Sequence, residues 1–245
     1  SANEEKFTRK ARDDGGNLPL LAQAAPEDIA IESLRGFRAA LLFAMPHLRN
    51  NIVMITGPAR DLGKSFVTVN LAAVMAASGK RVLLIDADLR NGHLHRYFGV
   101  SREDGLSNVI AGGAPVGDII HRGVLENLDF IATGALPPNR SEFLLHLNFG
   151  TLLESVSAQY DLVLLDPPPI LAVADALIIG AHAGAVFILA RAGRTTEEEI
   201  NESIKRLNHA GISPQGVLFN DLALRLSGYR YQFHYEQDAQ IGYSR

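Results

Sequence analysis

The sequence predicts an α/β protein: a mostly parallel sheet with helices on both faces. Three observations carry that expectation. The apolar runs, such as NIVMITG and LVLLDPPP, are continuous rather than alternating, as in strands buried on both faces. They alternate with segments of helical period. The acidic and glycine-lysine punctuation falls just after the strands, where sheets of this kind bind ligands.

The elements follow in order. Residues 1–17 are charged and contain glycine, and read as a flexible linker. LPLLAQAAPED is an apolar anchor and turn. A helix is expected from Pro26 to Met45. Proline suits its first turn, Glu27 and Asp28 suit its positive end, and Leu34, Phe37, Leu41 and Met45 recur at helical spacing. A strand over 51–57 precedes a helix from Lys64 to Ser78, which Gly79 closes. RVLLIDAD (81–88) is a second buried strand. GLSNVIAGG gives a short helix, LDFIATG (128–134) a strand, and SEFLLHLNFGTLLESVSAQY one long helix. A strand over 162–169 stops at prolines, VADALIIGAHAGA is helical, and 185–191 is a strand. In TTEEEINESIKRLNHAG, Thr196 and Glu199 are spaced as a capping box, with acids first and bases later. GVLFN (216–220) is the sixth and last strand. The domain is expected over 18–226, and 227–245 reads as a polar, tyrosine-rich tail.

Composition narrows the function. The 245 residues are 47% hydrophobic and 20% charged, an ordinary globular mix. A formal charge of −4 gives no reason to expect nucleic acid as a partner. Without cysteine there is no disulfide or thiolate metal site, which suits a reducing compartment. No apolar run approaches the roughly 20 residues that span a bilayer. SANEEKF does not read as a signal peptide, and its first three residues fit a tag remnant on a fragment.

Three motifs carry chemistry. In GPARDLGKS (57–65), between a strand and a helix, Gly63 lets the backbone approach a phosphate. Lys64 reaches the β- and γ-phosphates, Ser65 offers its hydroxyl to Mg²⁺, and the helix start points its amides at the anion. The usual spacing wants glycine at 58, where this chain has Pro58. Asp86 and Asp88 project to one side of an extended backbone just past a buried strand. They would repel each other unless Mg²⁺ or Arg90 relieves them. Asp166 ends a third hydrophobic strand, where phosphate-loop enzymes hold Mg²⁺. Cradle, cation and base together are what phosphoryl transfer from ATP, leaving ADP, requires.

With these motifs in hand, the chain resembles the Wzc-type bacterial tyrosine kinases, cytoplasmic domains of inner-membrane polysaccharide co-polymerases. GPARDLGKSF, LLIDADLR and LVLLDPPP look like that family's Walker A, A prime and B elements. IESLRGFRAALLFAM, GALPPNRSEFLL, GVLFN and the terminal tyrosines extend the likeness from about Leu18 to the end. The resemblance implies a phosphate-loop fold with the deviant Walker A of the MinD and ParA ATPases. It implies nucleotide contacts from Gly57, Arg60, Asp61, Leu62, Gly63, Lys64, Ser65 and Phe66, with Asn220 near the adenine. Lys64, Asp86 and Asp88 would be catalytic, one of the two acids being the base toward tyrosine. Ser65, Asp86, Asp88 and Asp166 would place Mg²⁺. Glu32, Arg35 and Arg38 match the family's ExxRxxR helix, which assembles a ring, octameric in the family. On pattern alone they would be a solvated face with ion pairs worth about 0.3–0.5 kcal/mol each. Tyr229, Tyr231, Tyr235 and Tyr243 would accept phosphate in a neighbouring subunit's site. A cognate tyrosine phosphatase and the polysaccharide polymerisation and export machinery would be further partners.

Two residues depart from the family pattern: Arg60 and Arg140 stand where its members usually have proline. Two other functions fit parts of the pattern. A MinD- or ParA-like positioning ATPase shares the fold, but its signature lysine would fall at Pro58. A nucleotide-regulated scaffold without transfer would draw on Arg60.

Overall fold

A computed structural model describes residues 18–222; the linker over 1–17 and the four tail tyrosines expected as acceptors lie outside the described residues. Seven strands form one sheet in the order β3-β4-β2-β5-β1-β6-β7. They are β1 (Ile52–Thr56), β2 (Val82–Asp86), β3 (Ile120–Leu125), β4 (Leu128–Ile131), β5 (Leu162–Asp166), β6 (Ala185–Arg191) and β7 (Gly216–Asn220). Every pairing is parallel except β3 with β4.

The continuous apolar runs serve two cores. Ile52 and Met54 of β1 face one, and Val53 and Ile55 face the other. The second core is roofed by α1 (Leu21–Ala24), α2 (Ile29–Ala44) and α3 (Lys64–Ala76), with α4 (His95–Phe98) at its margin. The first is roofed by α5 (Leu106–Ile110), α6 (Arg140–Leu144), α7 (Leu147–Ser157), α8 (Asp175–Gly180) and α9 (Glu197–His209). Period-two alternation thus survives inside each strand, with both phases apolar. The deepest strands, β1, β2 and β5, are buried at every position.

Several expectations are revised. The strand β3 was not anticipated; IHRGVL is half polar and lies on an edge, where burial does not demand a continuous apolar run. The single helix over 141–160 is two. Exposed Leu145 and His146 interrupt it, and His146 caps α7 by accepting from the Asn148 amide at 3.2 Å. Helix α2 begins at Ile29 rather than at Pro26, because the Asp28 carboxylate accepts from the Ala30 amide at 2.8 Å and caps it. Helix α8 is half the length expected. The capping box of α9 forms as spaced: the Glu199 amide donates to Thr196 Oγ1 at 3.2 Å, and the Thr196 amide to Glu199 Oε2 at 2.9 Å.

Candidate active site

The three motifs leave the sheet at the carboxyl ends of β1, β2 and β5, which are neighbours in the order β2-β5-β1. Sequence order had scattered them; the crossovers gather them. Gly57 turns the chain out of β1 so tightly that a Cβ there would lie 2.8 Å from the Leu189 carbonyl oxygen. Asp61 and Gly63 both take left-handed backbone, at φ 60° and 89°. Leu62 is buried between them, while Arg60 and Asp61 are exposed at the loop tip and Phe66 is half-buried in the first turn of α3. Lys64 opens that helix and is only 9% exposed.

Ser65 donates its hydroxyl to Asp166 Oδ2 at 2.6 Å. The other carboxylate oxygen of Asp166 is buried and has no partner. Asp86 stands directly across the parallel pair from Asp166. Its two oxygens accept only backbone amides, from Asp88 at 3.3 Å and from Leu94 at 3.0 Å. Gly92 makes this possible, since a Cβ there would lie 2.8 Å from both Asp86 oxygens. Burial pushes the Asp86 carboxyl well above the usual range, and the charge of Asp166 adds to that. Burial also raises Asp166, against the pull of Lys64 and the hydrogen bond from Ser65.

The repelling pair is therefore Asp86 and Asp166, not Asp86 and Asp88 alone. Asp88 is half-exposed, and its Oδ1 closes the next turn by accepting from the Arg90 and Asn91 amides at 3.0 and 2.9 Å. The Arg90 side chain keeps only a charge interaction with Asp88 and directs its hydrogen bonds elsewhere. It forks onto buried Asp175 at 2.8 and 3.0 Å and donates to Ser141 Oγ at 3.1 Å. Ser141 in turn donates to Asp175. Arg140, one of the departures, lies beside this cluster in sequence, with its Nε buried and unpartnered.

Among the described residues no group of three His, Asp or Glu is arranged to hold a metal by itself. That is compatible with Mg²⁺, which keeps several waters and takes one or two carboxylates plus substrate phosphates. An orphaned, buried Asp166 oxygen beside Ser65 is the kind of donor such an ion would use.

The other expected residues fall elsewhere. Asn220 engages both ends of its amide with backbone: Nδ2 donates to the Leu62 carbonyl at 3.0 Å, and Oδ1 accepts from the Asp221 amide at 2.9 Å. Glu32 and Arg35 pair with each other at 2.9 Å on α2, and Arg38 donates to the Val74 carbonyl at 3.2 Å. The reading of motifs missed Asp175, Ser141, Arg191 and Arg194. Arg191 was findable, as a cation at the carboxyl end of a buried strand. Asp175 was not, because nothing local marks its partner.

With this geometry in view, comparison with known proteins is informative. A family model described as an AAA domain matches residues 52–209. The putative tyrosine-protein kinase EpsB of Ralstonia solanacearum is 51% identical over 214 residues, 87% of this chain and 28% of that protein. The tyrosine-protein kinase wzc of Salmonella typhimurium is 43% identical over 225 residues, 90% of this chain and 31% of that protein. The chain thus spans under a third of the length of these curated relatives. The solved BceF tyrosine kinase domain superposes with a TM-score of 0.83 at 44% identity, covering 90% of this chain and 89% of its own. In fold alone the chain is also similar to MinD of Pyrococcus horikoshii, at a TM-score of 0.59 and 23% identity, over 69% of this chain and 70% of that one.

Proposed function

This chain belongs to the Wzc-type bacterial tyrosine kinases, and on that premise we propose that it phosphorylates tyrosines with Mg-ATP, its own tail tyrosines in trans among them. The observation that carries the reading is the convergence of phosphate loop, Ser65 and the two buried acids Asp86 and Asp166, one Asp166 oxygen left unpartnered, on three adjacent strand ends.

The roles follow from the side chains. The loop 57–65 and the start of α3 cradle the phosphates, and Lys64 meets the developing charge on the γ-phosphoryl group. Ser65, Asp86, Asp88 and Asp166 would hold the Mg²⁺, which supplies charge neutralisation on the phosphate oxygens. The incoming tyrosine hydroxyl lines up with the γ-phosphate and gives its proton to Asp86 or Asp88. The domain is assigned to 18–226, between a linker over 1–17 and an acceptor tail over 227–245 that bears Tyr229, Tyr231, Tyr235 and Tyr243.

Each phosphate adds about −1.5 to −2 charge at neutral pH, so phosphorylated tails on adjacent subunits repel. Unphosphorylated chains assemble through Glu32, Arg35 and Arg38, and phosphorylated ones separate. The surrounding system is exopolysaccharide or capsule export, with the domain on the cytoplasmic side of an inner membrane. Among the described residues no helix is long and apolar enough to cross a membrane.

Protein stripped by a phosphatase should gain phosphotyrosine with Mg-ATP, counted by intact mass. Lys64→Met should gain none. A stripped wild-type protein that stays unmodified would sink the kinase reading. Light scattering showing one size for both forms would sink the assembly reading alone.

A further inference from the structure

Two loop carbonyls in the phosphate cradle are held from behind. Arg191 Nη1 and Arg194 Nη1 both donate to the Asp61 carbonyl, at 3.1 and 3.3 Å. Asn220 Nδ2 donates to the Leu62 carbonyl at 3.0 Å. Arg191 is itself steadied by Asp221, at 2.8 and 3.1 Å. Arg191 and Asn220 are directly paired across β6 and β7, beyond β1 on the side away from the acids. None of these contacts is local; Arg191 is 130 residues from Asp61 in sequence.

A trans peptide is planar, so the C=O of one residue and the N–H of the next point in opposite directions. Fixing the Asp61 carbonyl toward the arginines turns the Leu62 N–H the other way. Fixing the Leu62 carbonyl toward Asn220 does the same for the Gly63 N–H. These are amides of the loop that must face an anion if it is to bind one. The bonds from the arginines are charge-assisted and so among the stronger ones. They act where Asp61 holds a left-handed backbone that a non-glycine residue seldom adopts.

We propose that Arg191, Arg194 and Asn220 are positioning residues that hold the Leu62 and Gly63 amides toward the bound phosphates. Asn220 on this view acts on the polyphosphate through the loop, and not on the nucleobase. The inference rests on the nucleotide-binding reading above.

Calorimetric titration of the whole chain with Mg-ATP, and separately with magnesium tripolyphosphate, tests it. Tripolyphosphate has no base and no sugar. Asn220→Ala, Asn220→Asp and Arg194→Ala should each weaken both ligands by the same factor. That factor is about tenfold for Asn220, which corresponds to about 1.4 kcal/mol. The Asp replacement keeps the shape, loses the donor and adds a negative charge, so it should weaken both ligands at least as much as the Ala replacement. Loss of ATP affinity with tripolyphosphate unchanged would make Asn220 a base contact and overturn the proposal. So would a lowered melting temperature with both affinities intact. Should the Asn220 variants fail to fold, Arg194→Ala carries the same expectation, because its side chain is exposed. A wild-type chain that binds neither ligand would instead fail the nucleotide-binding reading itself.

Discussion

Asp166 ends β5, Asp175 opens α8 nine positions later, and both are buried, yet their surroundings are opposite. Asp175 receives a forked guanidinium from Arg90 and the hydroxyl of Ser141. Asp166 receives one hydroxyl, keeps one oxygen unpartnered and faces another carboxylate across the sheet. A buried charge left uncompensated is costly, so a fold that satisfies one such group and not its neighbour separates two tasks. At Asp175 the cation is part of the chain and fastens β2's following turn to α6 and α8. At Asp166 and Asp86 the chain supplies only the charge of Lys64, acting on Asp166, and a further cation would arrive with the ligand.

The widest gap should open when the compensated site loses its cation. Arg90→Ala leaves Asp175 as an uncompensated buried charge and should destabilise the protein by about 3–5 kcal/mol, read by urea unfolding. An effect below about 1 kcal/mol would mean that Asp175 does not depend on Arg90, and the comparison would break. Asp166→Asn should do the reverse. The ligand-free protein should gain about 1 kcal/mol in the same unfolding experiment, because a repulsion disappears. Phosphotyrosine formation should fall on the order of a hundredfold.

Acid sharpens the contrast through sign. Burial alone would raise Asp175, but the hydrogen bonds from Arg90 and Ser141 outweigh it and hold the carboxyl below its ordinary value of 3.8. Its contribution is therefore complete above that value and fades as pH falls through the lowered one. Asp86 is shifted upward, so its contribution is complete below 3.8 and is lost as pH rises through the raised value. Melting curves of the ligand-free protein between pH 3 and 8, compared with Asp175→Asn and Asp86→Asn, should show the two variants flattening opposite limbs. The smallest effect belongs to the exposed pair of Glu32 and Arg35. There Glu32→Ala should cost about 0.3–0.5 kcal/mol in the same melts, since water already serves both charges.

What the sequence revealed depends on how far the relevant physics reaches along the chain. The loop 57–65 and the runs ending at Asp86 and Asp166 were legible because burial on both faces and a phosphate cradle are local requirements. The β3 strand was not, since an edge strand with solvent beside it needs no continuous apolar run. The break at Leu145 and His146 was hidden by apolar spacing that continues through it. Arg90 was read as a partner for Asp88 because the two are near in sequence. Its true partner lies 85 residues on and is brought close only by the crossover to α8. Asn220 is similar: its place at a strand end was visible, and the loop carbonyl it meets was not.

The register of β2 against β5 sets Asp86 opposite Asp166, and side chains on a strand alternate faces with every residue. A shift by one position would not blur the alignment of the two acids; it would carry Asp86 through to the other layer of the protein. Length changes inside these strands are consequently all-or-nothing for an engineer or for evolution. Insertions in the exposed loop over 101–104 leave the alignment untouched. The ion-binding end of the sheet is in this sense digital, and its surface loops are the part that can be tuned by degrees.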